Sequence, residues 1–233
     1  MTVRTALKLG RVSNLPTVWT NVLAGTAFAT LHPSAATVLP AALACSLLYV
    51  AGMFLNDAFD HKWDAEHRPE RPIPAGEVTA KAVFQVGFGM MAAALIVLAV
   101  LPNGGGALLA GLALSGFILL YDFSHKKNPL APVVMALCRV SVYFTASLAA
   151  AAKPAPPLYA GAAFLFLYLV TLSLVAREEA KNPKLRPVVG LMIAGISIVD
   201  GLQLLVLGHP ALAGLCAVAF VLTLRLQRKI AGT

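Results

Sequence analysis

The chain has 233 residues, of which 59 % are hydrophobic and only 12 % charged, with a mean hydropathy of +0.80. A soluble domain carries about 25 % charged residues, so a water-covered globular body is excluded and a single bundle of membrane helices is expected. The net charge of +8 comes with no aromatic-interleaved basic stripe or nucleic-acid module, so nucleic acid is set aside; basic residues beside apolar runs report orientation and anionic lipid headgroups.

About 20 apolar residues cross a bilayer, with every backbone group bonded internally. The opening MTVRTALKLGRVSN puts basic residues before an apolar stretch, as a signal peptide would. Pro16 and Asn21 interrupt that stretch and no clear cleavage site follows, so a retained first span over 14–31 is expected. Further spans follow at 36–58, 79–101, 106–122, 130–151, 157–176, 187–208 and 210–226, separated by polar or Pro/Gly-rich breaks. Cys45, Cys138 and Cys216 lie inside apolar runs, at separations suiting neither zinc nor a disulfide framework, and read as small core residues. With the N-terminus inside, the inner segments hold Arg4, Lys8, Arg11, Lys62, Arg68, Arg71, Lys126, Lys127, Arg177, Lys181, Lys184, Arg186, Arg225, Arg228 and Lys229, whereas the outer loops hold only Lys153. The excess of inner Lys and Arg predicts a multi-pass protein of the cytoplasmic (inner) membrane with both termini in the cytoplasm. Three polar loops, after the second, fourth and sixth spans, then share the cytoplasmic face.

The second span ends in LNDAFDHKWDAEHRPERPIPAGEV. At 100° per residue Asp57, Asp60 and Asp64 fall at roughly 0°, 300° and 340°, one stripe about 10 Å long if the helix continues through Asp64. Asn56 adds an amide oxygen one turn before Asp60. Carboxylates this close repel unless cations sit among them. Oxygen-only donors suit a hard ion, and Mg²⁺ typically takes one or two carboxylates plus substrate phosphate oxygens. The plainer alternative is a solvated loop whose acids pair with Lys62, Arg68 and Arg71. Pro69, Pro72 and Pro74 fix φ and are expected to hold the following loop extended.

These residues carry a resemblance. NDAFDHKWD followed by RPERPIPAG resembles the N-D-x-x-D-x-x-x-D … R-P-x-R-P-x-P-x-G signature of the UbiA superfamily of intramembrane prenyltransferases. RVSNLPTVWTNVLAG is similar to the superfamily's first helix, and YDFSHKKNPL, with Tyr121 five residues before Lys126, to its tyrosine-to-lysine element. The resemblance implies an all-α integral membrane protein: about eight transmembrane helices around a central cavity, with cytoplasmic polar loops. It further implies that Mg²⁺ binds an isoprenyl diphosphate donor and that the prenyl group passes to a lipophilic, often aromatic, acceptor. Under it Asn56, Asp57, Asp60 and Asp64 bind metal, Lys126 joins them in catalysis, and Arg68, Arg71, Tyr121 and Lys127 meet the donor. The short chain and the AREEA loop resemble the EboC-like branch.

The superfamily places a second acidic motif, roughly D-x-x-x-D, after the sixth span, where this chain reads SLVAREEAKNPKLRP. Glu178 and Glu179 are adjacent and point about 100° apart on a helix, an awkward pair for one ion. Two readings stay open: a substituted site with Glu178 or Glu179 on a second ion and Arg177 and Lys181 on phosphate, or a lost site with ordinary inner charges. The superfamily usually has nine helices, so a chain with room for eight leaves a cavity wall open or supplied by another protomer of a homo-oligomer. Asp200 lies mid-span, where a carboxylate faces a cavity or a partner. Arg139 is its natural partner, and both are candidate substrate-binding residues. Tyr143 and Tyr168 read as core or interface aromatics.

Three functions are consistent with these features. The first is a Mg²⁺-dependent prenyltransferase, carried by the signature and the shared face of the polar loops. The second is a non-catalytic isoprenyl-diphosphate or lipid binder or transport component retaining the fold, motivated by the altered second motif. The third is a small transporter with Asp200 as relay, which predicts an internal repeat that the halves of the sequence do not show.

Overall fold

In a computed structural model, described for residues 1–126, 128–179, 182–230 and 232, the chain is helical throughout and the described residues contain no strand. A short helix α1 (Val3–Leu9) and a 3₁₀ turn (Val12–Asn14) lead into α2 (Leu15–Ala29). Seven longer helices follow: α3 (Ala35–His67), α4 (Ala80–Ala99), α5 (Gly104–Ser124), α6 (Ala131–Ala150), α7 (Pro156–Glu179), α8 (Arg186–Val206) and α9 (Pro210–Gln227). All seven are long and apolar enough to cross a membrane. With α2 they make the eight-helix bundle anticipated from hydropathy. At 15 residues α2 covers only about 22 Å, short of a hydrocarbon core of about 30 Å. It survives as an interior helix, with Val18, Val22, Ala24 and Gly25 buried against its neighbours.

Helices α2 and α6 are the shared walls of two apolar clusters. One joins Val18 and Val22 of α2 to Leu48, Leu55, Met91, Ile118 and Val142. The other joins Ala24 and Phe28 to Tyr143, Leu158, Leu165, Ile196 and Leu204. The two helices can approach because Gly25 has no side chain. A Cβ there would sit 2.7 Å from the Tyr143 carbonyl oxygen and 2.9 Å from Ala146 Cβ. Outward faces carry Leu39, Ile96, Leu109, Phe164, Leu202 and Val218, all exposed in the isolated chain and suited to lipid.

Polar contacts gather at one end of the bundle. The reason is the length of α3: 33 residues reach about 50 Å, so its last three turns stand clear of the apolar layer. Ser34 caps its start by accepting from the Ala36 N–H, and the helix runs unbroken through Asp64 to His67. The single carboxylate stripe expected from the spacing is therefore formed. The proline-rich segment after it departs from expectation. It folds into successive turns closed by Arg71 N–H to Arg68 O (3.1 Å), Ala75 N–H to Arg71 O (2.9 Å) and Glu77 N–H to Pro72 O (2.9 Å). A proline φ near −65° suits a turn as well as an extended strand, and Gly76 supplies the positive φ of 75° that lets the chain fold back. Glu77 is thereby brought to α1, accepting from Thr5 Oγ1 at 2.7 Å and facing Lys8 Nζ at 3.8 Å.

Candidate diphosphate site at the polar end of the bundle

Four acidic side chains are buried at this end: Asp57, Asp60 and Asp64 on α3, and Asp122 on α5. Three are matched by cations drawn from distant segments. Asp57 Oδ1 accepts from Arg71 (3.0 Å) and Arg11 (3.3 Å), and Arg71 also donates to Asp64 Oδ2 (2.9 Å). Asp60 takes Lys126 Nζ at 2.7 Å and His125 Nε2 at 3.4 Å. Burial by itself would lower the His125 pKa, but the Asp60 carboxylate against its ring outweighs this and raises it. Asn56 turns its amide to α5 and donates to Asp122 Oδ1 at 3.2 Å.

Local backbone explains why these groups converge. Arg11 is the single non-glycine with positive φ among the described residues (φ 42°), holding the turn between α1 and α2. A left-handed residue of this kind costs about 1–2 kcal/mol, and here the turn delivers its guanidinium to Asp57. Trp63, one turn after Asp60, stacks on His67 with centroids 4.1 Å apart and carries Lys126 Nζ 4.4 Å above its ring. Tyr121 stacks on His125 at 4.8 Å.

Below the charged cluster lies a cavity of about 70 Å³. Its walls are mostly apolar, including Val18, Gly52, Met53, Ile118 and Val142, and its polar atoms come from Tyr49, Tyr121, Asp122 and Arg139. Tyr121 and Asp122 thus belong to both the charged cluster and the apolar chamber.

The donor set of the cluster is all oxygen, which fits a hard cation such as Mg²⁺. Two carboxylate oxygens, Asp64 Oδ1 and Asp122 Oδ2, are buried with no hydrogen-bond partner, as atoms reserved for a cation would be. Among the described residues no three His, Cys, Asp or Glu groups converge tightly enough to hold an ion alone.

Several sequence candidates lie elsewhere. Arg68 caps the end of α3, exposed, over the Trp63 ring at 5.6 Å. Arg177, at the last turn of α7, donates to the Asn128 and Pro129 carbonyls (2.7 and 3.3 Å), tying α7 to the loop after α5. Glu178 is exposed and Glu179 half-buried at the α7 end. Lys127 and Lys181 lie outside the described residues. Arg139 and Asp200 do not pair directly. Arg139 donates to Asn21 Oδ1 (3.1 Å) and Thr17 Oγ1 (3.0 Å), while the Asn21 amide nitrogen donates to both Asp200 oxygens (3.0 and 2.9 Å). The expected pair is bridged because α2 packs between α6 and α8 and interposes Asn21. Tyr143 is more than a core aromatic, since its hydroxyl donates to Asp200 and accepts from Gln203 Nε2 at 3.1 Å. Arg11, Asp122 and His125 escaped the sequence reading as site residues. Asp122 and His125 sit in YDFSH, beside the quoted Tyr121, and Arg11 opens RVSN, so only their pairing across helices was missing.

Residues 16–229 match the UbiA prenyltransferase family. The chain belongs to that family. It is therefore a prenyltransferase of the UbiA type, an enzyme that moves an isoprenyl group from an isoprenyl diphosphate to an acceptor. Among curated relatives, a digeranylgeranylglyceryl phosphate synthase of Methanopyrus kandleri is 28 % identical over 203 residues, covering 87 % of this chain and 72 % of that one. One of the same name from Ignicoccus hospitalis is 31 % identical over 186 residues, covering 77 % of this chain and 58 % of the relative. A UbiA homolog from Archaeoglobus fulgidus, solved with DMAPP and Mg²⁺, superposes with a TM-score of 0.63 at 14 % identity, covering 98 % of this chain and 88 % of that one. At that identity the likeness is one of UbiA fold.

Proposed function

We propose that this UbiA-family chain binds an isoprenyl diphosphate, together with Mg²⁺, at the polar end of the bundle and transfers the isoprenyl group to a lipophilic acceptor in the cavity. The observation that carries the reading is the junction at Tyr121 and Asp122. Buried carboxylates matched by Arg11, Arg71 and Lys126 meet an apolar chamber there. A diphosphate needs the first environment and an isoprenyl tail the second.

Asn56, Asp57, Asp60 and Asp64 would hold the ion. When bound, Mg²⁺ would supply positive charge to offset the negative charge that a departing diphosphate develops. Arg11, Arg71 and Lys126 leave their carboxylates for the diphosphate, and charge-assisted hydrogen bonds from them stabilise the charge growing on its oxygens. Tyr49, Val18 and Ile118 line the chamber around the tail, excluding water from the electron-poor allylic carbon. The relatives from Methanopyrus kandleri and Ignicoccus hospitalis carry the name digeranylgeranylglyceryl phosphate synthase, which supports a lipophilic rather than a small soluble acceptor. Arg139 and Asp200 are assigned to holding α2, α6 and α8 together, with one face of Arg139 left on the chamber.

Binding of an isoprenyl diphosphate to the purified protein, measured by isothermal titration with Mg²⁺ and with EDTA, tests this directly. The protein should bind only with Mg²⁺, and Asp57→Ala with Asp60→Ala should abolish binding; unchanged binding in that variant sinks the assignment.

A further inference from the structure

The end of α7 offers Ala176-Arg177-Glu178-Glu179 where the family resemblance led to a second pair of aspartates. A carboxylate that could do this work lies on α5 instead. Asp122 is 5 % exposed, its Oδ2 has no hydrogen-bond partner, and it lines the cavity where that meets the charged cluster. It differs from its neighbours. Asp57, Asp60 and Asp64 each have a Lys or Arg within ion-pair distance, whereas among the described residues no cationic group lies within that distance of Asp122. Asn56 fixes the carboxylate by donating to Oδ1 at 3.2 Å, which leaves Oδ2 as the free donor. Asn56 is adjacent in sequence to Asp57, so one hydrogen bond links Asp122 to the α3 stripe.

A buried carboxylate with an orphaned oxygen is costly unless a cation completes it. An approaching side chain is one solution, used by its three neighbours. An ion arriving with the substrate is the other. We propose that Asp122 is a further Mg²⁺ ligand of this site, supplying from α5 an aspartate that the end of α7 does not carry. The inference rests on the diphosphate-site reading above. An ion held this way would place positive charge at the mouth of the cavity, beside the α3 stripe.

The test uses Mn²⁺ as a paramagnetic stand-in, titrated against the full chain in detergent with the non-reacting analogue geranyl thiolodiphosphate, and free Mn²⁺ read by electron paramagnetic resonance. Asp122→Asn should weaken Mn²⁺ binding by about tenfold or more, since even loss of a supporting group around a ligand costs about 10–100-fold. Asp122→Glu should restore much of it, and Glu178→Gln with Glu179→Gln should bind as the unaltered chain does. Wild-type Mn²⁺ affinity in Asp122→Asn overturns the proposal if Asp57→Asn has lost it, and leaves the α3 site standing. Equal binding by Asp57→Asn, or none by the unaltered chain, overturns the underlying site reading as well. Should Asp122→Asn fail to fold, anomalous scattering from crystals of the unaltered chain with Mn²⁺ and the analogue decides. Manganese at coordination distance from Asp122 supports the proposal, and manganese bound only by α3 or α7 groups overturns it.

Discussion

At Asp57 one carboxylate oxygen takes hydrogen bonds from two guanidinium groups, one 46 residues earlier in the chain and one 14 residues later. The three aspartates of α3 were legible in the sequence because their spacing places them on one helical face. Their partners were not. Arg11 depends on a left-handed turn, and His125 and Asp122 on how α5 packs against α3; neither leaves a periodic signal. Trp63 shows the same limit. It falls between Asp60 and Asp64 in the motif, yet its ring supports Lys126 from across the helix pair. A cation–π contact at an exposed site contributes about 0.5–1 kcal/mol. Trp63→Leu should therefore raise the KM for isoprenyl diphosphate about two- to fivefold with little change in kcat, read from initial rates. Asp200 is a different kind of residue, fully buried and bonded by Asn21 and Tyr143. Asp200→Ala leaves those donors unpaired at about 1–3 kcal/mol, so its melting temperature in detergent should fall while donor affinity stays as in the unaltered protein.

Each helix is set by length and small-residue placement more than by amphipathicity, as expected where lipid rather than water covers the outside. Hydropathy located the apolar body of α3 but ended the span at residue 58, because charged residues set in there; the backbone continues to His67. That overhang is what carries the site. The turn-rich fold of residues 68–79 was missed because proline constrains φ and leaves ψ open. Close packing of α2 on α6 rests on Gly25, whose added Cβ would meet the Tyr143 carbonyl at 2.7 Å. Gly25→Val should separate the two helices and cost about 1–3 kcal/mol. The measurement is thermal unfolding in detergent, with loss of donor binding only as the melting temperature approaches the assay temperature.

Across the whole molecule, α2 and α6 join two apolar halves, and the charged residues of one end close over the cavity between α3, α5 and α6. Fold class and helix count could be read from hydropathy alone, since a bilayer admits few alternatives. The cavity could not, because it depends on which faces the helices turn to one another. The distribution of Lys and Arg supports a cytoplasmic polar end. Green fluorescent protein fused at either terminus should then fluoresce, and alkaline phosphatase inserted at Lys153 should be active; the reverse pattern would invert the orientation. Turnover is the most direct readout of the α3 carboxylates. Purified protein, a panel of isoprenyl diphosphates, Mg²⁺ and membrane lipid extract should together release inorganic diphosphate and yield a lipid heavier by the isoprenyl group in mass spectra. EDTA, or Asp57→Ala with Asp60→Ala, should abolish both. Diphosphate release and prenylated lipid that persist in that variant would contradict the assignment of the α3 carboxylates.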